Sequence, residues 1–439
     1  MFGFYYASLP MLGRLARAYR RLALRRTRVV AVTGSFGKTT TARAIKCVLG
    51  LPLDPDVGVT QPSFKAREVL RLRPSDSYGV IETSIEAPGQ MKFAASFIRP
   101  DLTVVTAIGS EHIRAFGSFE RIRDEKAELV RCLPARGVAI LNGDDPNVLW
   151  MKGVTRARVI TYGFNTNNDI YADNISMDWP HGMRFDLHLK NETRSMRIRL
   201  IGKHMVYAAL AAVAVGAAEG LTLDRIAAAL EQLEPTPGRL QPVRLPNGAI
   251  VLRDEFKSPL ETIETSLHIL AEIPASRRIA VLGQISEAAG NRREMQRRVG
   301  KIAAEVADYA IFFGMDSRLY MSGAVRAGMG RNAMLDAKTD LPVVIRTLTS
   351  MLREGDVVLI KGRISEKLER IAFALAGQNI RCMIPFCDAE LRCSICKMLK
   401  TGWDAYPTRL APHNLEAGVI RERSPVGTVA SPEEPIERS

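Results

Sequence analysis

No run of 18 or more apolar residues occurs in the 439-residue chain, so the sequence offers no helix able to span a bilayer. The opening Met1–Tyr6 is too short for a signal-peptide core, and no small-residue cleavage site follows. Aromatic residues make up only 6% and are not interleaved with basic ones, so the net charge of +14 is not read as a nucleic-acid surface. Acids are missing altogether from residues 14–28, which hold Arg14, Arg17, Arg20, Arg21, Arg25, Arg26 and Arg28. Cysteines number six. Cys47 and Cys132 fall inside apolar helical patterns and read as core thiols; the other four cluster near the C-terminus. With 46% hydrophobic and 25% charged residues, the remainder is ordinary for a globular chain of two or three domains. A cytoplasmic location is expected, with the inner membrane surface as a refinement.

Residues 1–28 read as a basic amphipathic helix, with Met11, Leu15, Tyr19 and Leu22 on one face. That face could pack on the next domain or lie on an anionic membrane surface. Strands are expected at 29–32, 77–83, 101–107 and 137–141, and helices at 39–49 and 118–133. Short alternating segments over 155–200 suggest a small antiparallel β insertion, and helical pattern resumes over 203–233. Strands alternating with helices imply a parallel sheet covered on both faces. The breaker cluster Pro235-Thr-Pro-Gly238 marks a boundary. Beyond it the α/β rhythm restarts, with strands at 249–253, 278–282, 308–313 and 356–360 and helices at 259–272, 291–306 and 364–376. The expected organisation is α/β throughout: a central P-loop, doubly wound domain over 29–236 and a Rossmann-like domain over 237–376. A Cys-bearing appendage (377–411) and a disordered tail (412–439) complete it.

The strongest motif is Val32-Thr-Gly-Ser-Phe-Gly-Lys-Thr39, between a strand and a helix. Phosphates need closely approaching backbone N–H groups, which Gly34 and Gly37 allow by lacking a Cβ. Lys38 would reach the outer phosphates of a nucleotide, and the Thr39 hydroxyl would ligate magnesium. Val32 stands where the general P-loop has its first glycine, so the match is to a shorter variant.

The segment Thr33-Gly-Ser-Phe-Gly-Lys-Thr-Thr40 resembles the phosphate loop of the Mur ligase family, and the resemblance continues in order over 29–376. It is strongest to the branch that adds D-alanyl-D-alanine. It implies ATP and Mg as cofactors, with Thr33, Gly34, Ser35, Gly37, Lys38, Thr39 and Thr40 around the phosphates. It implies Glu82 as a Mg ligand after a strand. His112, in Thr106-Ala-Ile-Gly-Ser-Glu-His112, and Lys126, carbamylated in many family members, would hold a second Mg. Asn142 would lie near the nucleotide base, Arg239 of Pro237-Gly-Arg239 would reach the γ-phosphate, and Asp254 would open the last domain's share of the site. Thr60, Ser63 and Lys65 lie where acceptor contacts begin. Met205, Lys257 and Gln284 depart from the family pattern. The reaction implied is ATP-dependent joining of a carboxylate to an amine through an acyl phosphate.

Only 28 residues precede the first strand, too few for the UDP-sugar-binding domain of cell-wall members, so a lipid-linked or other small-molecule carboxylate is an expected alternative substrate. Cys382, Cys387, Cys393 and Cys396 could bind zinc, remain free or redox-active thiols, or form disulfides. Other readings of the chain are a nucleotide-binding scaffold at a membrane, an amidating subunit paired with a glutaminase, and a P-loop kinase.

Overall fold

The computed structural model describes residues 2–53, 62–286, 290–389 and 391–401. The expected disordered tail 412–439 and Thr60 lie outside the described residues, as does the Ser63 side chain.

Eight strands form the first sheet: β1 (Arg28–Thr33), β2 (Tyr78–Glu82), β3 (Leu102–Val105), β4 (Val138–Asn142), β5 (Arg158–Gly163), β6 (Ile170–Asp178), β7 (Gly182–Leu189) and β8 (Glu192–Ile198). Their order is β2-β1-β3-β4-β5-β6-β7-β8. Strand β1 lies one strand in from the edge of the parallel part, paired with both β2 and β3. It is buried on both faces, which explains its unbroken Val-Val-Ala-Val run. Val30 and Val32 face the helices Lys38–Val48 and Val206–Ala218; Val29 and Ala31 face Met91, Phe97 and Ile98. The expected β insertion is instead an extension of this sheet. Strands β5 and β6 continue the parallel ladder, and only the β6–β7 and β7–β8 pairs are antiparallel.

The second sheet contains β9 (Gln241–Arg244), β10 (Ile250–Asp254), β11 (Arg277–Leu282), β12 (Tyr309–Phe313), β13 (Met334–Lys338) and β14 (Asp356–Lys361). Its order is β13-β12-β11-β14-β10-β9, parallel except at β9. Strands β9 and β13 and the helices Ser317–Arg326 and Leu341–Met351 were not expected from the sequence.

The N-terminal helix runs over Phe2–Leu22 and packs on the helices Pro62–Arg71 and Gln90–Ile98. Its packed face differs from the expected one. Ala16 and Arg20 are buried and Leu12 and Tyr19 half-buried, whereas Met11, Leu15 and Leu22 point to solvent. Arg20 decides this orientation. Its guanidinium donates to the carbonyls of Ile98 (3.3 Å) and Arg99 (3.2 Å) and to Asp101 (2.7 Å). A buried arginine with a full set of acceptors turns the helix by about a quarter turn from the apolar-face expectation. Cys47 is half-buried, and Cys132 is exposed where the helix Glu128–Arg131 ends, so Cys132 is not a core thiol.

Candidate active site

Strand β1 delivers the chain into the loop 34–37, and the loop geometry demands its glycines. Gly34 has φ +144°, and a Cβ there would come within 1.9 Å of Thr106 Oγ1. Gly37 has φ +79° and starts the helix Lys38–Val48 without any side-chain cap. The first-turn N–H groups are thus left for an anion, with the helix dipole behind them. The loop is stitched to the segment after β3. Ser35 N–H donates to the Ala107 carbonyl (2.6 Å), Gly109 N–H to Ser35 Oγ (2.9 Å) and Thr106 Oγ1 to the Phe36 carbonyl (2.6 Å). Thr33 and Thr40 are buried beneath the loop, Thr40 against Thr236 (3.3 Å).

The other sequence candidates converge on this loop. Thr39 Oγ1 donates to Glu82 Oε1, at the end of β2, over 3.0 Å. Lys126 is fully buried and its Nζ donates to the Gly34 carbonyl (2.8 Å), bracing the loop from below. His112 lines the cleft, with Nε2 3.9 Å from Glu111 Oε1. Asn142 donates to the Thr106 carbonyl (2.8 Å). Its neighbour Asp144 accepts from Tyr207 (2.9 Å). Lys65 is buried and paired with Glu68, apart from the loop's contacts.

The second sheet closes the cleft. Arg239 stacks over Phe256, with its guanidinium carbon 4.7 Å from the ring centroid. Asp254, at the end of β10, accepts from Lys361 Nζ and Ser266 Oγ, both at 2.6 Å. The cleft between the sheets is about 580 Å³ and is lined by Ser35, Lys38, Thr39, Glu82, Arg239 and Asp254 among others. A wider groove of about 990 Å³ crosses β7 and β8, but none of the loop residues line it, so the cleft is the candidate site. His204 lines the cleft and is exposed within it.

Sequence reasoning missed Glu111. Its side chain is 1% exposed, and it accepts from Lys38 Nζ (2.8 Å) and from Lys257 of the second sheet. Burial opposes its charge, but Lys38, Lys257, Lys126 and His112 outweigh burial and hold the carboxyl well below the usual range. A carboxylate thus sits where an anionic phosphate oxygen would meet Lys38. The available signal was its place directly before His112.

The donor set suits the expected cofactors. Thr39 and Glu82 offer adjacent hard oxygens, and magnesium commonly takes only one or two protein oxygens beside phosphate and water. Cys382, Cys387, Cys393 and Cys396 all border one small cavity beside Arg370, and all four are free thiols. Among the described residues no group of three or more His, Cys, Asp or Glu is placed to hold a metal ion.

Gln284 and Arg363 follow β11 and β14, and both donate backbone N–H groups to Glu366, at 2.9 and 2.8 Å. Burial pushes the Glu366 carboxyl up from 4.5 to about 7. The folded state therefore keeps a proton that the unfolded chain releases. That stability is complete below about pH 4.5 and is lost as pH rises through about 7. It amounts to roughly 3 kcal/mol. Thermal unfolding measured from pH 5 to 8 is expected to show a falling Tm, with Glu366→Gln flattening the slope.

Similarity to known proteins agrees with this geometry. The Mur ligase middle domain matches residues 32–216, and the Mur ligase glutamate ligase domain matches residues 238–364. A UDP-N-acetylmuramoyl-tripeptide–D-alanyl-D-alanine ligase of Escherichia coli K12 is 30% identical over 362 residues, covering 79% of this chain and 76% of that protein. The protein of the same name from Mycobacterium leprae is 30% identical over 412 residues, covering 85% and 78%. Among solved structures, a MurF crystal structure from Acinetobacter baumannii matches with TM-score 0.75 at 23% identity, covering 84% of this chain and 81% of that one. MurF of Thermotoga maritima in complex with ADP matches with TM-score 0.72 at 21% identity, covering 84% of each. At these identities the structural likeness speaks to fold alone. The sequence matches go further: they run in order through both sheets and the cleft between them, and the chain belongs to the Mur ligase family of ATP-dependent, amide-bond-forming enzymes.

Proposed function

We propose that this ligase joins a muramoyl-peptide carboxylate to D-alanyl-D-alanine, the substrates carried in the names of its relatives. The observation that supports it most is the convergence of Lys38, Glu82 and Arg239, from three distant parts of the chain, on one cleft. The substrate carboxylate attacks the γ-phosphorus of ATP, forming the acyl phosphate and releasing ADP. The amine then attacks the acyl carbon and loses a proton, and phosphate leaves as the amide forms. Lys38 and Arg239 offset the charge on the transferred group, and the uncapped helix start orients the phosphates. Thr39, Glu82 and His112 would hold magnesium, which supplies further charge compensation when bound. Asn142 would face the base, and Asp254 fixes Lys361 at the second sheet's edge of the cleft. Carbamylation of Lys126, read by peptide mass, is part of the same proposal. So is zinc on the four cysteines, read by metal analysis of the purified protein.

The deciding experiment measures phosphate release with UDP-muramoyl-tripeptide and D-alanyl-D-alanine, each omitted in turn. Release that requires both, with a product of the summed mass less water, is expected. Release indifferent to either substrate would sink this choice of substrates. We also place the enzyme in the cytoplasm at the inner membrane surface, with residues 1–28 as the contact.

A further inference from the structure

Among the described residues, the N-terminal helix leaves one face of its later turns exposed. Met11, Leu15 and Leu22 are 68%, 55% and 69% exposed. With Ala18, which is also exposed, they fall at i, i+4, i+7 and i+11, a single stripe along the outer side of the helix. Arg14, Arg17 and Arg21 are exposed beside the stripe, and Arg25 and Arg26 continue the charge just beyond the helix end. No acid occurs from residue 14 to residue 28. The opposite side is firmly held by Arg20 and by Gly13, whose missing Cβ would meet the Phe93 ring at 2.5 Å. Among the described residues nothing covers the stripe.

We propose that this face lies in the plane of an anionic lipid bilayer, with the apolar stripe in the headgroup–acyl boundary and the arginines among the anionic headgroups. Charge decides between occupants. Two copies of this chain meeting face to face would bring like-charged arginines together with no acid between them, so a symmetric dimer through this surface is disfavoured. A negatively charged bilayer satisfies both halves of the pattern, since binding then scales with buried apolar area plus attraction to anionic lipid. No described helix is long and apolar enough to cross a membrane, so the contact is peripheral. The packing also sets a direction. Arg20 meets Asp101, just before β3 begins, while Gly13 meets Phe93, in the helix that follows the end of β2. The helix thus runs from the strand-exit edge, where the phosphate loop lies, back toward the strand-entry edge. A bilayer along its outer face then lies beside the first sheet.

The surface carries this inference whether or not the substrates proposed above are correct, and the test reads binding rather than turnover. The full chain would be sedimented with vesicles of phosphatidylcholine alone and of phosphatidylcholine with about a third phosphatidylglycerol. Binding to the second and not the first is expected, weakened by 0.5 M salt. Leu15→Ser/Leu22→Ser is expected to lower the partition at least tenfold, and Arg14→Gln/Arg21→Gln about tenfold on anionic vesicles, both with wild-type Tm because these side chains are exposed. Equal recovery on both vesicle types, no binding to either, or wild-type binding by the folded Leu15→Ser/Leu22→Ser variant would each overturn the proposal. So would a concentration-dependent dimer that this variant abolishes.

Discussion

Lys38→Ala is expected to lower substrate-dependent phosphate release by roughly a thousandfold or more, the loss seen when a preorganised charge on a transferring group is removed. The ammonium is buried and donates to the Gly34 and Ser35 carbonyls, both at 2.9 Å, and to Glu111. Its three N–H donors are therefore committed before any nucleotide arrives, and a phosphate oxygen would take the place of Glu111 beside it. Glu111 complicates the measurement. Without Lys38 it loses the first of the cations that hold its charge, and a lost charged hydrogen bond costs roughly 1.5–3 kcal/mol. A folded-state control is needed for that reason. Adding Glu111→Gln to Lys38→Ala removes the stranded charge and is expected to recover Tm without recovering turnover. Turnover within tenfold of wild type in Lys38→Ala would mean that the loop does not grip the transferred phosphoryl group.

Arg239→Ala is expected to lower kcat by about 10³-fold or more, on the scale of an arginine that stabilises a phosphoryl-transfer transition state. Arg239 follows the breaker Pro237-Gly238 between the two sheets and lies over Phe256 in the loop after β10. Both parts of the cleft therefore determine where its guanidinium sits. Nucleotide binding, measured by calorimetry with ADP, is expected to change far less than kcat, because the γ-phosphoryl group is absent from ADP. Arg239→Lys is expected to stay low, since a point charge replaces neither the stacked plane nor the fixed fork of donors. A large loss of ADP affinity with an unchanged kcat would reassign Arg239 to ground-state binding.

Much of the cleft was legible because its parts are local. A β-branched run, a glycine pair and a Lys-Thr helix start are contiguous in Val29–Thr40, and the conformations they need are properties of those residues alone. Strands β10, β11, β12 and β14 were legible for a similar reason, being short apolar runs buried on both faces. The region 314–355 was not. Leu341–Met351 carries Val343, Val344, Ile345, Thr347 and Thr349, whose branched side chains favour strands, yet it is a helix packed on the second sheet's core. Strand β13 reads Met-Leu-Asp-Ala-Lys, too polar for a buried run, because it lies at the sheet's edge. Gly300 and Gly323 let the helices Arg292–Val306 and Ser317–Arg326 touch backbone to backbone; a Cβ at Gly323 would stand 2.0 Å from the Arg297 carbonyl oxygen. A glycine in a helix looks like a weak point until the neighbour that needs the space is known.

By itself, then, the amino-acid order determined the glycine loop, the doubly wound class and many of the residue types that line the cleft, because short-range backbone chemistry and burial patterns carry them. Tertiary structure alone decided the pairing of Glu111 with Lys257, 146 positions away, the turning of the N-terminal helix by Arg20, and the gathering of four cysteines around one cavity. Those outcomes depend on which charges and acceptors distant segments bring together, and electrostatic and packing energies between such segments leave no periodic trace along the chain.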